Sequence, residues 1–149
     1  MNSISRALKI CVLAHKTQLD KAGELYSFHP IRVSLLLKTK KEKIVGLLHD
    51  VVEDTNWTVK KLSKEGFSAD ILDAIDAISR REGETVMRYY NRIKENELAT
   101  IIKIADLTDN SSLERYDMLP QKKHTENRQI FYLTKIEELT KYAKEKFSG

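Results

Sequence analysis

The 149-residue sequence holds one cysteine, two prolines and five glycines. A lone cysteine, Cys11, cannot close an intramolecular disulfide, which fits a reducing cytoplasm. Its neighbours Ile10, Val12 and Leu13 mark it as a buried structural thiol rather than a reactive one. So little proline and glycine argues against a sheet-rich fold with many tight turns, and against a low-complexity linker. No run of about 18 apolar residues exists, so no membrane-spanning helix is expected. The opening residues lack the apolar segment and small-residue cleavage site of a signal peptide, and a cytoplasmic location is the expectation. Excess charge is also small: 26 Lys and Arg against 22 Asp and Glu leave +4. That balance admits an anionic small molecule or weak nucleic-acid contact and requires neither.

Hydrophobic residues make up 41% of the chain, enough for one sizeable core. No repeat, proline-rich stretch or like-charge block divides it, so residues 1–149 read as one domain. Leu8, Cys11, Val12 and His15 recur at helical spacing and predict a helix over about 5–19. Pro30 suits the first turn of a helix over 31–38, because its missing N–H is not needed there. A helix over 41–53 carries Ile44, Val45, Leu47, Leu48, Val51 and Val52 and should be central. Shorter helices follow over 58–64, capped near Asn56 or Trp57 and ending at Gly66, then over 71–78, capped by Ser68. Further helices are expected over 85–94 and 98–107, and Ile130, Leu133, Ile136 and Leu139, with Tyr142 and Ala143, mark a long one over 121–147 after Pro120. Period-2 alternation is absent. The predicted class is all-α.

The chemistry lies in polar groups set inside the two most apolar helices. His49, Asp50, Glu53 and Asp54 interrupt Leu47-Leu48 and Val51-Val52, and Asp106 interrupts Ile104-Ala105 and Leu107. An unpaired carboxylate in such surroundings costs several kcal/mol, so something positive must lie nearby. His49 and Glu53 are four residues apart, as are Asp50 and Asp54, and Asp106 and Asn110. Lys103 is the nearby base, and a regular helix puts it on a different face from Asp106. A cation is therefore favoured. His29, before Pro30 at the end of a loop, can turn its ring inward. His29, His49, Asp50 and Asp106 form a mixed N/O set suited to Mn²⁺, Fe²⁺ or Zn²⁺ rather than Ca²⁺. The plainer alternative is a buried His49–Asp50 hydrogen bond with no ion.

Three stretches carry a family resemblance: Ala14-His15-Lys16-Thr17-Gln18 with Lys21-Ala22-Gly23-Glu24-Leu25-Tyr26-Ser27-Phe28-His29-Pro30, then 47–55 around His49-Asp50, then 102–110 ending in Asp106-Leu107-Thr108-Asp109-Asn110. Over about residues 7–112 the sequence resembles the hydrolase half of RelA/SpoT-type proteins, within the HD superfamily of metal-dependent phosphohydrolases. The resemblance implies a compact helical (p)ppGpp hydrolase domain without a synthetase half. It implies that His29, His49, Asp50 and Asp106 bind Mn²⁺ and that Glu53 and Asp54 handle the attacking water. It further implies that Asn110 supports the nucleotide sugar or the metal ligands, and that Lys21 faces phosphates or the base. The sequence departs from the family pattern at Asp20, at Leu25, at Ser111-Ser112-Leu113 and across the connector 79–85. These positions belong to nucleotide recognition rather than to the metal motifs.

Other residues read more plainly. His15 is a packed histidine, His124 a surface one, Tyr89 and Tyr90 core and rim aromatics, and Trp57 packs at a helix start. Arg80 and Arg81 offer either a phosphate fork or ordinary surface charge. Tyr26 either stacks on a base or fills the space under the His29 loop. The expected function is Mn²⁺-dependent hydrolysis of a nucleotide phosphate ester. One alternative is an HD nucleotidase or phosphatase acting on another phosphorylated nucleotide or dinucleotide. Another is a non-catalytic helical module binding protein, or binding nucleic acid through Lys38, Lys40, Lys41 and Lys43, a stretch that lacks aromatics for base stacking. A phosphorylated nucleotide is the expected partner; a membrane is not, nucleic acid is disfavoured, and a homo-oligomer is compatible with the sequence.

Overall fold

The computed structural model describes residues 2–112 and 122–148, with the backbone alone over 122–125; Pro120, Leu113 and the His124 side chain lie outside the described residues. Asn2 opens α1 (Ser3–Ala14), its side-chain oxygen accepting from the Ser5 N–H at 2.9 Å. This helix buries Ala7, Ile10 and Cys11. Leu8 and Val12, which share the helical spacing, are 40% and 41% exposed. The buried stripe is centred on Ala7 and Cys11, and one residue further along lies about 100° around the helix. Burial pushes the Cys11 thiol up to about 12, as befits an inert cysteine.

α1 stops at Ala14 and does not reach Leu19. His15 caps it and donates from Nδ1 to the Gln18 Oε1 at 2.8 Å, and the Gln18 amide donates to the Asp54 carbonyl at 2.9 Å. Asp20 accepts from the Ala22 and Glu24 N–H groups at 2.9 Å each. Such local side-chain bonds compete with a further helical turn. The segment folds back through a Leu19–Leu25 bridge, with Gly23 at φ +85°.

α2 (Phe28–Leu35) begins three residues earlier than the sequence suggested, so His29 sits on a helix and not on a loop. Pro30 is its third residue, where the first-turn N–H has no helical partner to lose. α3 (Lys40–Leu48) starts from a capping box in which Thr39 and Glu42 satisfy each other's backbone. It buries Ile44, Val45, Gly46, Leu47 and Leu48. The expected single helix over 41–53 is broken after Leu48, and α4 (Val51–Asp54) follows as one turn. The physical reason is His49, whose Nδ1 lies 2.6 Å from the Gly46 carbonyl. That is the oxygen a continuing helix would offer to the Asp50 N–H.

α5 (Val59–Lys64) is capped by Thr58, not by Asn56 or Trp57, and the chain turns at Gly66 with φ +89°. α6 (Ala69–Ile78) follows Ser68, whose hydroxyl bonds the Asp70 carboxylate instead of capping a backbone N–H. α7 (Val86–Lys94) is capped by Thr85, and α8 (Glu97–Asn110) by Asn96. α9 (Lys122–Phe147) is the long terminal helix. All regular elements among the described residues are helices, as expected. None is long and apolar enough to cross a membrane.

α8 packs against α2, α3, α6, α7 and α9, while α3 packs against α1, α2, α6 and α8. The two most apolar helices are therefore central, and the polar residues they carry are delivered to the same interior. The apolar residues of α9 are unevenly buried. Leu139 is fully buried, whereas Ile130 and Leu133 are 63% and 52% exposed. Leu139→Ala should cost about 2–5 kcal/mol of unfolding free energy. Ile130→Ala should stay within about 0.5 kcal/mol of the parent in the same urea titration.

Candidate functional site

His29 comes from the first turn of α2, His49 and Asp50 from the break between α3 and α4, and Asp106 from the middle of α8. All three histidine-and-aspartate sources meet in the core: His29 is 3% exposed, His49 2% and Asp106 5%. One donor atom from each of the four residues lies within 4.8 Å of every other. The two rings meet edge-on with centroids 5.3 Å apart.

Each imidazole is tied back through Nδ1. His29 Nδ1 lies 2.7 Å from Asp109 Oδ2, and His49 Nδ1 is held by the Gly46 carbonyl. Both Nε2 atoms therefore face inward. His29 Nε2 is 2.7 Å from Asp106 Oδ1, and His49 Nε2 is 3.2 Å from the same oxygen and 3.0 Å from Asp50 Oδ2. With Nδ1–H donated outward, a neutral ring points a lone pair at a carboxylate lone pair. Something positive must separate them, either a proton or a metal ion. Burial alone would lower both imidazoles, but Asp106 with Asp109 outweighs it at His29, and Asp50 with Asp106 outweighs it at His49, so both are raised above the ordinary histidine value. Burial would raise Asp106, and Lys103 with the two imidazoles holds it well below the usual carboxylate range. The donor set fits a divalent ion.

Lys103 corrects the sequence reading. Its Nζ lies 2.8 Å from Asp106 Oδ2. A separation of three residues leaves a 60° offset by about 100° per residue, and a long lysine side chain spans it. Burial disfavours its charge, yet Asp106 keeps it firmly protonated, and its Nζ sits 5.2 Å from the Tyr89 ring centroid and 5.9 Å from that of Tyr90. Asp106 thus splits its oxygens, Oδ2 to Lys103 and Oδ1 to the two imidazoles. Asn110 also reaches Oδ1, at 3.3 Å.

Asp50 accepts from the Tyr26 hydroxyl, so Tyr26 packs under His29 and holds a site carboxylate. Asp50, Glu53 and Asp54 form a second, more open acidic group with donor oxygens within 4.8 Å of one another. The Glu53 Oε1 accepts from the Arg80 backbone N–H at 2.7 Å. Desolvation and the Asp50 charge raise Glu53, and the same causes with Glu53 push Asp54 up to about 7. Arg81 and Arg92 hold the connector behind Glu53: Arg81 bonds the Asp76 and Ser79 carbonyls, and Arg92 pairs with Glu84 and reaches the Ala77 and Ser79 carbonyls. Arg81 is therefore occupied by the protein itself. Lys21 is exposed on the turn that Asp20 builds, and among the described residues no hydrogen bond or ion pair joins it to the cluster. Of the basic run, Lys41 pairs with Asp70, and Lys43 caps the Ser34 and Leu37 carbonyls at the end of α2.

Two residues escaped the sequence reading altogether. Asp109 is bonded by His29 and by the Arg32 guanidinium, with Nε 2.8 Å from Oδ1. The available signal was spacing, since His29–Arg32 and Asp106–Asp109 are both three apart and face each other across α2 and α8.

No family model matches the chain. Over 129 residues, 76% of this chain, it is 35% identical to a Borreliella burgdorferi protein named guanosine-3′,5′-bis(diphosphate) 3′-pyrophosphohydrolase. A Haemophilus influenzae protein of the same name is 30% identical over 65% of the chain, and a Streptomyces coelicolor GTP pyrophosphokinase 26% identical over 78%. A solved metazoan SpoT orthologue, described as hydrolysing ppGpp, superimposes with a TM-score of 0.75 at 20% identity, covering 93% of this chain and 85% of its own. The chain belongs to the RelA/SpoT-type HD hydrolase domains. This RelA/SpoT-type domain spans only 19%, 16% and 15% of the three curated relatives' lengths.

In this domain metal uptake has to displace protons from the two raised imidazoles. Affinity for a divalent metal ion should therefore rise with pH and fall away as pH drops through their pKa values, by about tenfold per unit for each proton displaced. Calorimetry in buffers of different ionisation enthalpy should show proton release below neutrality.

Proposed function

We propose that the domain is a Mn²⁺-dependent (p)ppGpp 3′-pyrophosphohydrolase, with His29, His49, Asp50 and Asp106 holding the ion. The observation that carries this reading is the pair of inward-facing Nε2 atoms converging on the Asp50 and Asp106 oxygens, with the Glu53–Asp54 carboxylates opening beside them. The relatives named for this reaction support the substrate. When bound, a divalent ion lowers the pKa of water and neutralises phosphoryl charge.

The chain's own groups supply the proton handling. Asp54, with a pKa of about 7, interconverts between acceptor and donor at neutral pH. Glu53 is fixed in direction by the Arg80 N–H. The two carboxylates are close enough to titrate together, and they act here as one unit. Water attacks the phosphorus attached to the 3′-oxygen and its proton passes to this pair. The P–O bond to the 3′-oxygen breaks, that oxygen takes a proton, and pyrophosphate leaves. Lys103 keeps one face of Asp106 neutralised, and the family resemblance assigns Lys21 to phosphate or base and Asn110 to the sugar or the metal ligands.

A second reading, hydrolysis of another phosphorylated nucleotide, draws support from the recognition side. Asp20 is consumed in shaping the loop that carries Lys21, and the connector 79–85 is pinned by Arg81 and Arg92. Incubating the Mn²⁺-loaded protein with (p)ppGpp and a nucleotide panel, then identifying phosphate or pyrophosphate, separates the two. Release of pyrophosphate from (p)ppGpp is expected; turnover confined to other nucleotides overturns the first reading.

Glu53→Gln and Asp54→Asn should each lower kcat by about 10²–10⁴-fold while retaining Mn²⁺. Asp106→Ala should lose both the ion and turnover. In the parent enzyme kcat should rise with pH through about 7 as the Glu53–Asp54 pair gives up a proton, and that limb should be shifted or lost in both Glu53→Gln and Asp54→Asn.

A further inference from the structure

We infer that Asp109 and Arg32 are a positioning pair that fixes which nitrogen His29 turns toward the centre; this rests on the metal-dependent reading above. Asp109 lies on α8 three residues after Asp106 and is buried against α2. Its Oδ2 is 2.7 Å from His29 Nδ1. Arg32 grips the same carboxylate with a fork, Nε 2.8 Å from Oδ1 and Nη2 3.2 Å from Oδ2.

An imidazole rotated by 180° about its Cβ–Cγ bond exchanges Nδ1 with a ring carbon, and its proton can reside on either nitrogen. With an ion in the centre taking the Asp106 side of the ring, the carboxylate at Nδ1 settles both questions, because it accepts only from N–H and leaves Nε2 with the inward lone pair. Arg32 in turn fixes the carboxylate plane, since a guanidinium fork matches two oxygens at once. The two ring ligands are therefore held by unlike acceptors. His49 leans on a neutral carbonyl, at Gly46, and His29 on an anion. A charged acceptor raises the basicity of the opposite nitrogen, so His29 becomes the stronger donor of the two.

The test uses the full chain stripped of metal by a chelator. Mn²⁺ binding is measured by calorimetry for the parent, Asp109→Asn and Arg32→Gln, alongside circular dichroism. Asp109→Asn should weaken Mn²⁺ binding about 10–100-fold with helix content unchanged. Arg32→Gln, at a half-exposed side chain that folding tolerates, should weaken it by a smaller factor. In the Zn²⁺-loaded parent, ¹⁵N-imidazole NMR should find the His29 proton on Nδ1. Parent-like Mn²⁺ affinity in both variants, or a His29 proton on Nε2, overturns the inference while leaving the metal reading intact. A parent that takes up no Mn²⁺ overturns the metal reading and this inference with it.

Discussion

Two imidazole nitrogens and two carboxylates share one desolvated space between α2, α3, α4 and α8, and the rest of the molecule is arranged around keeping them there. Carboxylates in a helical interior repel one another and lose their hydration, so they persist only with positive charge at hand. Here compensation comes from three directions. The histidines take protons or a divalent ion on Nε2, Lys103 covers Asp106 Oδ2, and Arg32 covers Asp109. The permanent cations sit on the outer oxygens, which leaves the inner oxygens and the imidazoles as the exchangeable part.

Secondary structure is bent to this purpose in two places. His49 captures the Gly46 carbonyl and ends α3. The chain then re-enters helix at Val51, with Asp50 at its N-terminal boundary and Glu53 and Asp54 on its single turn. Gln18 ties the segment after α1 to the end of that turn through the Asp54 carbonyl. Before α2 the chain folds back on itself, and Tyr26 from that fold reaches Asp50. A continuous helix over 41–53 would have kept the four polar residues on one stripe, whereas the break lets the interior pair and the open pair face different surroundings.

The turn that carries Lys21 and the connector 79–85 are both shaped by the chain's own hydrogen bonds. Lys21 projects from an Asp20-capped turn, and Asn110 ends α8 at the margin of the cluster. The connector 79–85 does more than link helices, since its Arg80 N–H aims Glu53 and its shape is set by Arg81 and Arg92.

The all-α class, the central place of α3 and α8, and the four converging residues were legible in the sequence, because apolar periodicity and a carboxylate inside it are local signals. The starts of α5, α6, α7 and α8 were legible to within a residue or two, whereas α1 stops five residues short and α2 begins three residues early. The faces of α1 and α9 were not, since Leu8, Val12, Ile130 and Leu133 satisfy helical spacing as well as the residues that are buried. Nor was the break at His49, which depends on a side chain taking a backbone acceptor. The Lys103–Asp106 pair was missed because a helical wheel gives the 60° offset but not the reach of a lysine side chain. The partnership of Asp109 with His29 and Arg32 joins residues 77 and 80 positions apart. Sequence by itself determined which chemistry the interior holds; only the packing of α2 on α8 decided which atoms face each other, because hydrogen-bond direction is a property of three-dimensional contact and not of spacing along one helix.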